Sequence, residues 1–211
     1  MNKSPFIIGV AGTSGSGKTL FLQYLCEQFP PDGITLISLD DYYRPVDCKT
    51  REENMLHNFD IPEAFDLKTF HTHICQLTEG ETVVKQEYTF NNPDLQPRLL
   101  TLKPAPVLVI EGLFIFHDPV VSKQLQLRIF IHADDGIALQ RRIRRDAVQR
   151  GYNEQEVRYK WDNHVRPAYQ KYLLPYKDRS DIVIENNTDE PEKLKTVARE
   201  IMESTRSALG L

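Results

Sequence analysis

Phe6-Ile7-Ile8-Gly9-Val10-Ala11 followed by Gly12-Thr13-Ser14-Gly15-Ser16-Gly17-Lys18-Thr19 sets the architecture expected of the whole chain. The last eight residues fit GxxxxGK[ST] at every position, between an apolar strand-like run and a helical pattern, the setting in which this loop wraps phosphate. Each residue type has a physical reason. Glycines let the backbone turn so that successive N–H groups point inward at phosphate oxygens, and the helix that follows adds its positive end. Lys18 places a charge on the outer phosphates, and the Thr19 hydroxyl is a ligand for Mg²⁺. The loop is read as a cage for a nucleoside triphosphate, with ATP and Mg²⁺ as the implied cofactors.

Working outward, further apolar runs rich in Ile and Val occur at 34–39, 107–110, 127–131 and 182–184. Runs without polar alternation suit strands covered on both faces, as in a parallel sheet. A helix is predicted over 18–28, stopped by Phe29, Pro30 and Pro31, which completes a βαβ unit. The expectation is a three-layer α/β fold with a parallel sheet of about five strands and helices on both faces. Two polar stretches, 47–66 and 88–106, break the alternation and are read as excursions over the sheet edge of the kind that close over substrates. With no repeat and no linker, residues 1–211 are expected to form one domain.

Hydrophobic residues make up 40% and charged residues 27%, the usage of a globular protein and not of a disordered one. A formal charge of −4 argues against a protein that neutralises a nucleic-acid backbone. Cys26, Cys48 and Cys75 lack the close pairing of a zinc or redox motif, and the chain from Met1 to Pro5 runs directly into a strand pattern. A cytoplasmic protein with no signal peptide and no membrane partner is expected, and a homo-oligomer is allowed.

In open parallel sheets ligands collect beyond the carboxyl ends of the strands. The second run ends in Ser38-Leu39-Asp40-Asp41-Tyr42-Tyr43 and the third in Glu111-Gly112, so carboxylates reach the same edge as the phosphate loop. A carboxylate beside phosphates is repelled unless it binds metal or accepts a proton. Asp40 is the candidate base, with a place beside the metal, and Glu111 the candidate for holding Mg²⁺ directly or through water. The competing reading of Asp40 is a helix cap or turn former. Arg141, Arg142, Arg144, Arg145 and Arg150 crowd a helical stretch, with Arg142 in reach of Asp146, and two or three of them are expected to face the transferring phosphoryl group from a lid. His71 and His73, two apart, fall on different helix faces and are not read as metal ligands.

These residues resemble the uridine kinases (uridine-cytidine kinases) and their relatives, the nicotinamide riboside kinases and phosphoribulokinases. The resemblance covers nearly the whole chain and rests on GTSGSGKT at 12–19, SLDDYYRP at 38–45, NFDIPEAFD at 58–66, VLVIEGLFIF at 107–116, RRIRRD at 141–146 and HVRPAYQKY at 164–172. It implies a P-loop nucleoside-kinase-like fold with a lid. It also implies that Asp40 is the catalytic base, Glu111 the Mg²⁺-associated carboxylate and Asp60 the residue holding the ribose hydroxyls. Tyr88 matches an aromatic residue near the base, Arg142 a lid arginine facing the nucleoside, and Arg145 and Arg150 arginines facing the nucleotide phosphates. The pattern departs at the base reader. The stretch Tyr88-Thr89-Phe90-Asn91-Asn92-Pro93 has no histidine, Tyr152 stands where uridine kinases have an arginine, and Lys160 stands near where a glutamine would approach the base.

The expected activity is ATP- and Mg²⁺-dependent phosphorylation of the 5′-hydroxyl of a ribonucleoside, uridine or cytidine first, with nicotinamide riboside, or another small molecule taken by a P-loop kinase, as the alternative. The rival class is a P-loop switch or regulatory ATPase. Asn186-Asn187-Thr188-Asp189 superficially resembles a guanine-reading motif but lacks its lysine, and is read as a loop near adenine. A kinase consumes ATP faster when its acceptor is present, and a switch does not.

Overall fold

The structure, a computed structural model, describes residues 4–46, 50–89, 96–188 and 190–210, apart from the side chains of Arg51 and Gln149. The chain opens with β1 (Phe6–Gly12), α1 (Lys18–Glu27) and β2 (Ile34–Ser38). Next come α2 (Arg51–Leu56), α3 (Leu67–Thr78), β3 (Val83–Gln86), β4 (Leu99–Leu102), β5 (Val107–Glu111), α4 (Pro119–Ser122) and β6 (Leu127–His132). The remainder is α5 (Asp135–Gln149), α6 (Glu154–Lys160), α7 (Arg166–Ala168), β7 (Ile182–Glu185) and α8 (Pro191–Leu209).

Five strands form a sheet in the order β2-β5-β1-β6-β7, and every pairing in it is parallel. β1 lies at the centre with all but its first residue buried, as the unbroken apolar run requires. Successive side chains feed two apolar layers. Ile8 and Val10 pack with Phe21, Leu22 and Leu25 of α1 and Leu194, Ala198 and Ile201 of α8 on one face. Ile7, Ile37, Leu108, Ile110 and Phe130 pack with Phe70, Ile74 and Leu77 of α3 on the other. The buried positions of α8 recur at helical spacing, one stripe of an otherwise polar helix.

The five sheet strands fall within a residue of the runs read from sequence, but the two excursions carry more structure than their polarity suggests. Within 47–66, Thr50 caps α2 in a capping box with Glu53. Within 88–106, β4 pairs antiparallel with β3, from Val83 opposite Leu102 to Gln86 opposite Leu99. Both strands escape an apolar-run search because only one face is covered: Val83 and Lys85 are buried, Val84 and Gln86 exposed. Phe90, Asn91, Asn92 and Pro93 lie outside the described residues, as does Asp189. Among the described residues no helix is long and apolar enough to cross a membrane.

Candidate active site

β1 delivers the phosphate loop directly to the head of α1. Gly15 and Gly17 have φ of 81° and 94°, in the left-handed region where a side chain is strained. A Cβ at Gly15 would land on the Ala138 carbonyl of α5, and one at Gly17 on the Asn186 side-chain amide. Gly17 is also the N-cap of α1 and offers no side-chain acceptor, and the first turn holds no acidic residue, so the helix presents its amides to an outside anion. Asn186, just beyond β7, donates through Nδ2 to the Ser16 carbonyl at 2.7 Å and through its backbone N–H to the His132 carbonyl at 2.8 Å. It ties the loop to the far edge of the sheet. Arg141 holds the same segment, donating to the Asn186 and Thr188 carbonyls at 2.9 and 2.8 Å.

The carboxylates after β2 and β5 meet the loop's lysine. The Lys18 ammonium pairs with Glu111 Oε2, while Glu111 Oε1 accepts from the Ser38 hydroxyl. Burial works against the Lys18 charge, yet Glu111 and Asp40 outweigh it and raise its pKa. Asp40 is the second residue of a short 3₁₀ turn, 39–42, whose cap is Ser38, accepting from the Asp40 N–H at 3.2 Å. The capping role therefore falls to Ser38, and the Asp40 carboxyl is left for the cleft. Burial, with Glu111 and Asp41 adding and Lys18 and Arg150 opposing, pushes the Asp40 pKa up to about 6.

The lid arginines converge on one acid. Asp146, fully buried on α5, lies 3.3 Å from Arg142 Nε, 2.8 Å from Arg145 Nε and 3.7 Å from Arg150 Nε. Burial would raise its pKa, but Arg150, Arg145 and Arg142 together hold it below the usual carboxylate range. Arg145 also donates to the Ser14 hydroxyl at 3.2 Å, bringing the helix to the phosphate loop. Arg144 points to solvent. Asp146→Asn leaves three guanidiniums facing one another across a neutral amide. Denaturant melts should show a loss of about 3 kcal/mol, together with a lower kcat.

Opposite the phosphate loop, Asp60 donates its backbone N–H to Asn58 Oδ1 at 2.9 Å, before the turn at 62–64. The Tyr43 and Tyr88 rings lie 5.0 Å apart, tilted 35°. Asp41, which the sequence did not single out, pins this wall: it accepts from the Tyr88 N–H at 3.2 Å and pairs with buried Lys85 at 2.7 Å. One cavity of about 360 Å³ takes in the phosphate loop, Asp40, Asp60, Tyr88, the three lid arginines and Lys160. Ser16, fully buried, and Glu111 stand behind its lining. Its size suits a small-molecule ligand.

A phosphate-wrapping loop at the carboxyl edge of a parallel sheet, with arginines and a raised carboxylate in the same cleft, defines a P-loop kinase, a phosphotransferase. The chain belongs to the Phosphoribulokinase / Uridine kinase family, which it matches over residues 7–191. It is similar to the uridine kinase of Brevibacillus brevis, 33% identical over 181 residues, which span 86% of this chain and 85% of that one. The uridine kinase of Streptococcus thermophilus is 31% identical over 211 residues, 99% of this chain and 100% of the relative. Uridine-cytidine kinase B of Dictyostelium discoideum is 30% identical over 200 residues, 95% and 82%. Among solved structures, phosphoribulokinase from Rhodobacter spheroides shares the fold with a TM-score of 0.63 at 20% identity, covering 90% of this chain and 74% of that one.

Proposed function

We propose that the protein transfers the terminal phosphoryl group of ATP to the 5′-hydroxyl of a ribonucleoside, uridine or cytidine first, and that the single domain at 1–211 carries the whole reaction. The observation that carries the reading is the single cleft that joins the phosphate loop to Asp40 and Asp60. The uridine kinases among the relatives support it.

On this reading the amides of residues 12–19 and Lys18 hold the donor phosphates, and Arg145 and Arg150 neutralise the charge that builds during transfer. Asp40 removes the proton from the attacking hydroxyl. Asp60 accepts from both ribose hydroxyls, Tyr88 covers the base, and Arg142 reaches the nucleoside side of the cleft. The Thr19 hydroxyl and the Asp40 and Glu111 carboxylates are hard oxygen donors that fit Mg²⁺, Glu111 through a water because its two oxygens already engage Lys18 and Ser38. When bound, the metal would neutralise charge on the transferring phosphates.

The experiment is a coupled assay of ATP consumption across uridine, cytidine, adenosine, nicotinamide riboside and ribulose 5-phosphate. ATP consumption that no acceptor accelerates would return the protein to the switch class. The aromatic lining from Tyr43, Phe59, Tyr88 and Tyr152 favours nicotinamide riboside as the second choice, since a flat ring can stack there without a dedicated reader. Uridine should exceed 2′-deoxyuridine in kcat/KM by at least about tenfold, because the missing hydroxyl leaves Asp60 unsatisfied. Equal rates would remove Asp60 from its role.

A further inference from the structure

Lys85 is a charge on the inward face of β3. Side chains alternate along a strand, so Lys85 shares its side with Val83, which packs in the apolar layer with α3, and its side chain is only 6% exposed. An apolar residue would fill this position, and a buried ion pair is in general no more stabilising than the apolar side chains that could replace it. Burial lowers the Lys85 pKa, while the hydrogen bond and charge of Asp41 oppose that shift. Packing alone gives no reason for the lysine, and the geometry of its partner supplies one.

Asp41 Oδ2 lies 2.7 Å from the Lys85 ammonium, which also sits 4.7 Å from the centre of the Tyr42 ring. The other oxygen, Oδ1, accepts from the Tyr88 N–H at 3.2 Å. With the lysine on one oxygen, the carboxylate is turned so that the second faces Tyr88. Asp41 follows Asp40 in the turn at 39–42, and neither Asp41 nor Lys85 lines the cleft that Asp40 and Tyr88 line. The turn itself is anchored elsewhere: the Tyr42 carbonyl accepts from the Asp66 N–H at 2.7 Å, and the Tyr42 hydroxyl meets His73 Nδ1 of α3 at 2.8 Å. The pair therefore joins β3, and the segment just past its end, to a fixed turn that carries the candidate base.

Resting on the nucleoside-kinase reading, we propose that Asp41 and Lys85 act together as positioning residues that hold the Tyr88 backbone at a set distance from Asp40, so that the acceptor binds with its hydroxyl at the base. They act from behind the wall and touch neither substrate. Their loss should weaken the acceptor and leave ATP, whose phosphates are held by the loop at 12–19, as it was.

The test measures kcat, KM for the ribonucleoside that the wild type uses best and KM for ATP, alongside urea melts that establish folding. The variants are Lys85→Met, Asp41→Asn/Lys85→Met and Asp41→Leu/Lys85→Met. Lys85→Met leaves the Asp41 carboxylate without its cation and no longer turned toward Tyr88, so KM for the acceptor should rise roughly tenfold, the worth of one hydrogen bond. Asparagine carries no charge and keeps an acceptor oxygen for the Tyr88 N–H, so Asp41→Asn/Lys85→Met should return that KM to within about threefold of the wild type. Leucine offers no acceptor, and Asp41→Leu/Lys85→Met should keep the raised KM. In every variant KM for ATP should stay within about twofold of the wild type, since only acceptor binding has been touched. If Lys85→Met does not fold, the two double variants decide. Equal acceptor KM in those two would show that the bond to Tyr88 positions nothing and would overturn the proposal. A KM for ATP that rises in step with that of the acceptor would also overturn it, since a merely structural pair disturbs both substrates. A wild type that phosphorylates no ribonucleoside defeats the underlying reading, and this proposal with it, before any variant is measured.

Discussion

Lys18→Met should abolish turnover, with kcat lowered by roughly 10³-fold or more, the scale of removing a fixed positive charge from the transferring phosphoryl group. The same change should also destabilise the protein. Lys18 is ion-paired with Glu111, the two side chains 13% and 9% exposed, so removing the cation leaves a largely buried carboxylate with only the Ser38 hydroxyl. The loss should be about 1–3 kcal/mol in urea melts, below the figure for a fully buried pair because both groups keep some water. Adding Glu111→Gln to Lys18→Met should recover most of that stability and none of the activity. This double variant separates the two jobs of the lysine. Near-normal kcat in Lys18→Met would sink the reading of the phosphate loop. Full stability in the single variant would show that the Glu111 pair contributes nothing to the fold.

The sheet was legible because β1, β2, β5, β6 and β7 are covered on both faces, and such strands announce themselves as runs of Ile and Val. The phosphate loop was legible because its geometry needs glycine at 15 and 17 and a lysine at 18. Residues that act on the site from a distance were not. Asn186 was read only as part of a loop near adenine, and nothing local shows that it holds the Ser16 carbonyl across 170 positions of sequence. Asp146 was visible only as a helical neighbour of Arg142. That it also gathers Arg145, its neighbour on α5, and Arg150, one turn on at the helix C-cap, depends on side-chain directions that residue spacing does not give. Asp41 stood beside the candidate base in LDDYY with no sign that it would pair with Lys85 from the next hairpin and hold Tyr88. The hairpin itself was missed because a strand with one exposed face and four residues carries too short a pattern to stand out against proline-rich surroundings.

Asp40→Asn should lower kcat by roughly 10²- to 10⁴-fold with ATP affinity little changed, because the amide keeps the shape of the carboxylate and cannot accept the proton of the hydroxyl. The pH profile supplies an independent signature. The Asp40 pKa is pushed from 3.8 up to about 6, so the competent base is present above that pH and is lost as pH falls through it. The kcat/KM of the wild type for its acceptor should therefore show an acidic limb near pH 6, and the residual activity of Asp40→Asn should not. Stability should move in the opposite direction to activity. Between pH 3.8 and about 6 the folded protein holds more protons at this site than the unfolded chain does, so stability falls as pH rises through that window. At pH 7 the ionised carboxylate is carried at a cost, and Asp40→Asn should be more stable than the wild type by on the order of 1–3 kcal/mol. A cap or turn former behaves the other way, losing stability on substitution and leaving kcat alone. Here Ser38 already caps the turn. Chemical denaturation at pH 5 and pH 7, paired with the rate profile, decides between the two roles. A variant that is both slower and less stable at pH 7 would count against Asp40 as the base.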